Sequence, residues 1–113
     1  MQSQLIPILA SAARTATGAA AIDQAPSLFT EANIYVDVTD VSGTTPSMTV
    51  TYQTSPDGVT WYDNTAGSAI TTSSRQLIKV PANLGVYGRL SYVISGTTPS
   101  FTFSAGFEGK KTY

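Results

Sequence analysis

Seven carboxylates, Asp23, Glu31, Asp37, Asp40, Asp57, Asp63 and Glu108, stand in a chain with neither histidine nor cysteine. Without those two residue types there is no imidazole acid–base chemistry, no thiolate nucleophile, no disulfide and no ordinary zinc site. Paired carboxylates suit glycoside hydrolysis, and Asp57 with Asp63 and loop carbonyls is a conceivable calcium site. The spacing favours neither. Asp37 falls on the outward phase of a strand-like run, Asp57 and Asp63 lie where turns and strand ends place Asp, and no loop clusters acids at ligand spacing. Serine and threonine are abundant, but a triad needs histidine, and a Ser–Lys dyad has no context here. The glycines are scattered singly, so no phosphate cradle forms. An enzyme is not expected, and neither a metal nor another cofactor. The aromatics offer one more chemistry: Trp61 and Tyr62, with Tyr35, Tyr87 and Tyr92, could stack a sugar ring. A core Trp61 with boundary tyrosines is the favoured reading.

Bulk properties narrow the classes further. The 113 residues make one domain, able to bury about 65% of the surface exposed by the unfolded chain. Only 12% of residues are charged, the net charge is −1, and the six Lys and Arg cluster only at Lys110–Lys111. Nucleic-acid binding needs a basic footprint to release counterions, so it is not expected. The surface, weakly charged and rich in Thr, Ser and Ala, favours a protein covered by neighbours. Met1–Ala12 has an apolar stretch that imitates a signal peptide, but no base precedes it and Pro7 interrupts it. It is too short to span a bilayer, and it reads as an extended arm.

These residues must be positioned by strands. Ser42–Ser47, Ser-Gly-Thr-Thr-Pro-Ser, returns unchanged at Ser95–Ser100. Each copy lies between strand-like runs, Asn33–Val41 and Met48–Ser55 in one case, Val86–Ile94 and Phe101–Gly106 in the other. Gly43 and Gly96 permit positive φ and Pro46 and Pro99 cannot continue a ladder, so each copy is expected to be a tight hairpin turn. Ile34, Val36 and Val38 alternate with polar neighbours, as do Met48, Val50 and Tyr52, and Phe101, Phe103, Ala105 and Phe107. Ser55-Pro56-Asp57-Gly58 predicts another hairpin, with Val59–Asp63 returning. Arg75–Val80 predicts a strand with Leu77 and Lys79 on opposite faces, Ala13–Ala21 reads equally as helix or strand, and Ile22–Ala32 predicts a loop tucking Leu28 and Phe29 onto the core. The sum is an all-β chain: an antiparallel β-sandwich, jelly-roll or Ig-like, of about 7–8 short strands. An N-terminal arm, 1–22, precedes the sandwich domain, 23–113.

Four stretches carry a resemblance: Leu9–Thr17, Val36–Ser47, Gln53–Trp61 and Ser95–Ser104. Together they resemble a family of small β-sandwich virion proteins encoded among the head genes of tailed bacteriophages. The resemblance implies a capsid decoration (cement) protein, a homotrimer on the outer shell with the major capsid protein as partner, made in the host cytoplasm. It also implies that the N-terminal segment reaches neighbouring subunits. An apolar arm of this kind gains most by adding to a neighbour's sheet edge. The expected contact residues are therefore Leu5, Ile6, Ile8, Leu9 and Arg14, with Thr44, Pro46, Thr97 and Pro99 at the turns. Two alternatives stand beside it: a module binding host-surface glycans through Trp61 or Tyr62, and a tail or head–tail subunit. No nucleic-acid or membrane partner is expected.

Overall fold

Runs of Val, Ile, Phe and Tyr alternating with Thr and Ser satisfy a pleated surface with one dry face, and here two such runs are unusually long. The computed structural model describes residues 2–22, 29–81 and 84–111. The strands are β1 (Gln2–Arg14), β2 (Gly18–Ala21), β3 (Glu31–Ser55), β4 (Tyr62–Ala66), β5 (Ser74–Val80) and β6 (Tyr87–Lys111). β3 and β6 have 25 residues each and pair antiparallel along almost their whole length, from Glu31↔Lys110 to Ser55↔Tyr87. The first half of β3 and the second half of β6 lie in one layer, flanked by β5 and β1. Their other halves lie in the second layer, flanked by β4 and β2. The molecule is thus one six-stranded antiparallel sheet creased across β3 and β6 and closed into a sandwich.

The crease is where Ser-Gly-Thr-Thr-Pro-Ser sits. The two copies are not separate hairpins: they face each other, Ser42 opposite Ser100, Thr44 opposite Thr97 and Ser47 opposite Ser95. Gly43 and Gly96 have φ of 109° and 120°, and Thr45 and Thr98 have φ of 48° and 46°. The left-handed residues turn each chain aside, but equal kinks in facing strands let the ladder resume beyond them. Pro46 and Pro99 fall where the register shifts and a donor is not needed. The expected count of 7–8 short strands becomes six among the described residues, because two predicted hairpins are two bent strands.

The dry face follows the predicted alternation. Ile34, Val36, Val38, Met48, Val50, Tyr52, Phe101, Phe103, Ala105 and Phe107 are all buried. Aromatic contacts join the layers: Tyr92 meets Phe103 edge-on at 5.3 Å, and Tyr52 lies 6.2 Å from Phe107. On β5 the expectation needs correction. Leu77 and Lys79 share the outward face, since residues two apart in a strand point the same way, and Ile78 and Val80 are buried between and beyond them. Phe29 covers the core against Phe107 at 5.8 Å, while Leu28 lies outside the described residues.

Residues 1–22, expected as an arm reaching a neighbour, include β1 and β2, which pair with β6 of the same chain. Ala13–Ala21 accordingly resolves as strand ends with a crossing between them and contains no helix. Ile6 is buried and Ile8 and Leu9 pack against the core, so the arm fills a place the sandwich already had for it. Edge β1 is blunted by Pro7 and by register shifts on both sides of Leu9, devices that discourage further strands from adding.

Candidate functional site

Where β1, β6 and β3 run side by side, their outward residues leave a shallow groove of about 640 Å³. Leu5, Pro7, Leu9 and Ala10 of β1 form one wall, Tyr35 and Asp37 of β3 the other, and Ser104, Gly106 and Glu108 of β6 the floor. Gly106 keeps the floor low: a Cβ there would stand 3.3 Å from Leu5 Cδ1. Leu5 is 62% exposed, Tyr35 44%, and Leu77, on the same outward face along β5, 47%. Exposed apolar side chains gathered on a sheet face are the kind of feature that association surfaces use.

Two polar side chains of the groove are tied to each other, and a third faces a charge on β5. Tyr35 Oη donates to Glu108 Oε1 at 2.7 Å, and Asn33 Nδ2 donates to the same oxygen at 3.2 Å. The hydrogen bond to the Glu108 carboxylate, aided by some burial and by its charge, raises the Tyr35 phenol above its usual pKa. Asp37 faces Arg75 at 3.6 Å. Nothing here is a nucleophile beside a base, and among the described residues no three acidic side chains gather to hold a metal ion. The arrangement offers apolar contact with polar edges.

The sequence-predicted residues divide. Leu5 and Leu9 line the groove, and Ile6 is turned into the core. Arg14 is engaged within its own chain: its guanidinium donates to the carbonyls of Phe103 (2.8 Å), Ala10 (2.9 Å) and Ala12 (3.1 Å) and lies 4.7 Å from the Phe103 ring centre. It pins the irregular stretch of β1, where the register with β6 shifts between Leu9 and Ala12. Thr44, Pro46, Thr97 and Pro99 gather at the crease, far along β3 and β6 from the groove.

Trp61 and Tyr62 form no joint platform. Trp61 is half-buried under Arg89, whose guanidinium sits 4.5 Å from the ring centre and also donates to Gln53 Oε1 at 2.7 Å. Tyr62 is exposed. Asp63 Oδ1 accepts from Gln53 Nε2. Asp57 Oδ1 accepts from the Thr60 and Val59 amides, at 2.9 and 2.8 Å, and from the Ser55 hydroxyl at 2.9 Å. Those donors hold its pKa below the ordinary carboxylate value. Both acids proposed for calcium thus serve the hairpin. Sequence reasoning did not identify Tyr35, Glu108 and Gly106 as a unit, because only the β3–β6 register makes them neighbours.

No family model matches the chain, and no curated protein matches it. Solved structures that share its fold include these two. One is the PBSX exported protein XepA, with a TM-score of 0.68 and 16% identity over 99% of this chain; the chain spans 38% of XepA's length. The other is a subunit of Bacillus endospore appendages, described as disulfide-linked pili, with a TM-score of 0.52 and 21% identity over 99% of this chain and 93% of that one. The fold is therefore shared with the PBSX exported protein and with the endospore appendages.

Proposed function

We propose that this chain is a structural protein of a phage-type particle, acting by surface association and not by catalysis, and that its particular role is to decorate and stabilise the capsid. The observation that carries the reading is the groove beside β1, with Leu5, Tyr35 and Leu77 exposed around it and Tyr35, Glu108 and Asp37 already engaged. The phage-element and pilus neighbours support a structural use of the fold, and the resemblance to head-gene products supports the capsid as the partner. Because the chain has no cysteine, any assembly it makes is free of the disulfide linkage named for the pili. In this reading the groove seats a ridge of the major capsid protein. An interface of about 1,000 Å² or more, repeated over the lattice, makes separation of capsomers costlier.

The test adds purified protein to particles that lack it and counts bound copies on a stained gel. Deleting Met1–Ala12 would remove most of β1, so a single outward change is the better probe. Leu5→Glu replaces burial of a leucine, about 1.5–3 kcal/mol, and is expected to lower affinity about tenfold or more. Occupancy unchanged by Leu5→Glu would remove the groove from the proposal. A handful of copies confined to one axis would assign the protein to the tail or connector instead.

A further inference from the structure

The pairing pattern shows more than a sandwich. Divide the chain at the connector Pro56–Trp61, and β1-β2-β3 stands before it and β4-β5-β6 after it. Every ladder then joins the first half to the second: β1 and β2 to β6, β4 and β5 to β3, and β3 to β6. Within either half, no two strands pair among the described residues.

The halves are also equivalent. Arg14 pairs with Phe101 as Ile70 bridges Met48; Gly18 pairs with Tyr92 as Ser74 with Val38; Ala20 pairs with Leu90 as Gln76 with Val36. Reading β1 onto β4, β2 onto β5 and β3 onto β6 aligns identical residues as well: Ala10 with Ala66, Ala13 with Ala69, Thr15 with Thr71, Ile22 with Ile78. The repeated hexapeptide lies on the axis relating them. A Cβ on Gly43 would strike Thr98 O and Pro99 Cα, and one on Gly96 would strike Thr45 O and Pro46 Cα. One bulge, at Thr39 of β3, breaks the equivalence by a single residue.

We infer that the protein is two interlocked repeats, and that a second copy of this chain is a partner it is built to accept, by exchange of whole repeats. The first repeat of one copy would meet the second repeat of another through the ladders each already makes at home. Nothing new has to form except a different path for the connector, whose reversal is held by Asp57, Ser55 and Gly58. Exchange that closes gives a dimer; exchange that passes onward gives a row of copies.

The full-length protein tests this. A protease site inserted between Gly58 and Val59, where Val59 is 79% exposed, allows the folded chain to be nicked. The two fragments are expected to elute together with an unchanged β-sheet signal. After separation in denaturant each alone should lack protected amides, and mixing should restore them. A fragment that regains protection by itself overturns the interlocked reading. In a second arm, deleting Asp57–Thr60 removes the slack for reversal, and light scattering should find dimers or longer species with native β content. A folded monomer from that variant overturns the exchange, and the nicking result stands independently of whether the shortened chain folds.

Discussion

Single side chains carry the parts of the fold that pH can reach. Tyr52 is fully buried and its hydroxyl donates to Leu84 O at 2.5 Å. Burial pushes its pKa well above the ordinary 10.0, so its contribution is complete below about pH 10 and is lost as pH rises toward the folded value. Tyr52→Phe should remove that alkaline sensitivity and leave a buried carbonyl unpaired, costing about 1–3 kcal/mol at neutral pH by urea unfolding. Asp57 runs the other way. Its folded pKa is depressed, first by the Thr60 and Val59 amides, so its stabilisation is present above the unfolded value of 3.8 and fades as pH falls through the folded one. Thermal melts between pH 6 and pH 2 should show a shallower acid loss for Asp57→Asn than for the parent. Arg14→Met keeps much of the packing on Phe103 while removing charge-assisted bonds to three carbonyls, an expected loss of about 1–3 kcal/mol. An unchanged urea midpoint would show that the pin is dispensable.

Among elements, the crease decides the architecture, and it is also where sequence reading and structure part. Alternation identified the dry faces of β3 and β6, and Pro-Asp-Gly the reversal at Ser55–Gly58, because both are local signals. The returning strand is Tyr62–Ala66, three residues beyond the expected Val59–Asp63. Gly43 and Pro46, repeated at Gly96 and Pro99, look the same in one dimension whether a strand reverses or bends. The distinction lies in what stands opposite, and that is another copy of the motif more than fifty residues away. For the same reason the groove was legible only through Leu5 and Leu9. Tyr35 and Glu108 meet through a register no local pattern specifies. The mirrored contacts at the crease predict mirrored costs: Gly43→Ala and Gly96→Ala should each lose about 1–3 kcal/mol from left-handed strain, before any clash is added. Values that differ widely between the two sites would argue against the shared axis.

For the molecule as a whole, the consequence of pairing only across the midpoint is kinetic. No hairpin within either repeat can form a first nucleus, apart from the β3–β4 turn that joins them. Chains dominated by such distant pairings fold in milliseconds to seconds. Stopped-flow refolding should show a single slow phase to which mutations in β3 and β6 contribute together. A fast phase confined to one repeat would contradict it. The edges complete the picture, since β2 and β4 are short and β5 carries Arg75 and Lys79 outward, leaving faces and not borders for lasting contact.

Gln2 and Lys111 are partners on the outermost rung of the β1–β6 ladder. Tension applied through those two residues therefore loads the rungs one after another and does not shear them together. Pulled this way the chain should unzip at low force from β1 inward, each opened rung lengthening the tether. Pulled between Lys111 and the crease, it should resist far longer and then give way at once. If the protein stands on a particle that swells or is struck, the direction in which its neighbours tug would decide whether it yields gradually or holds.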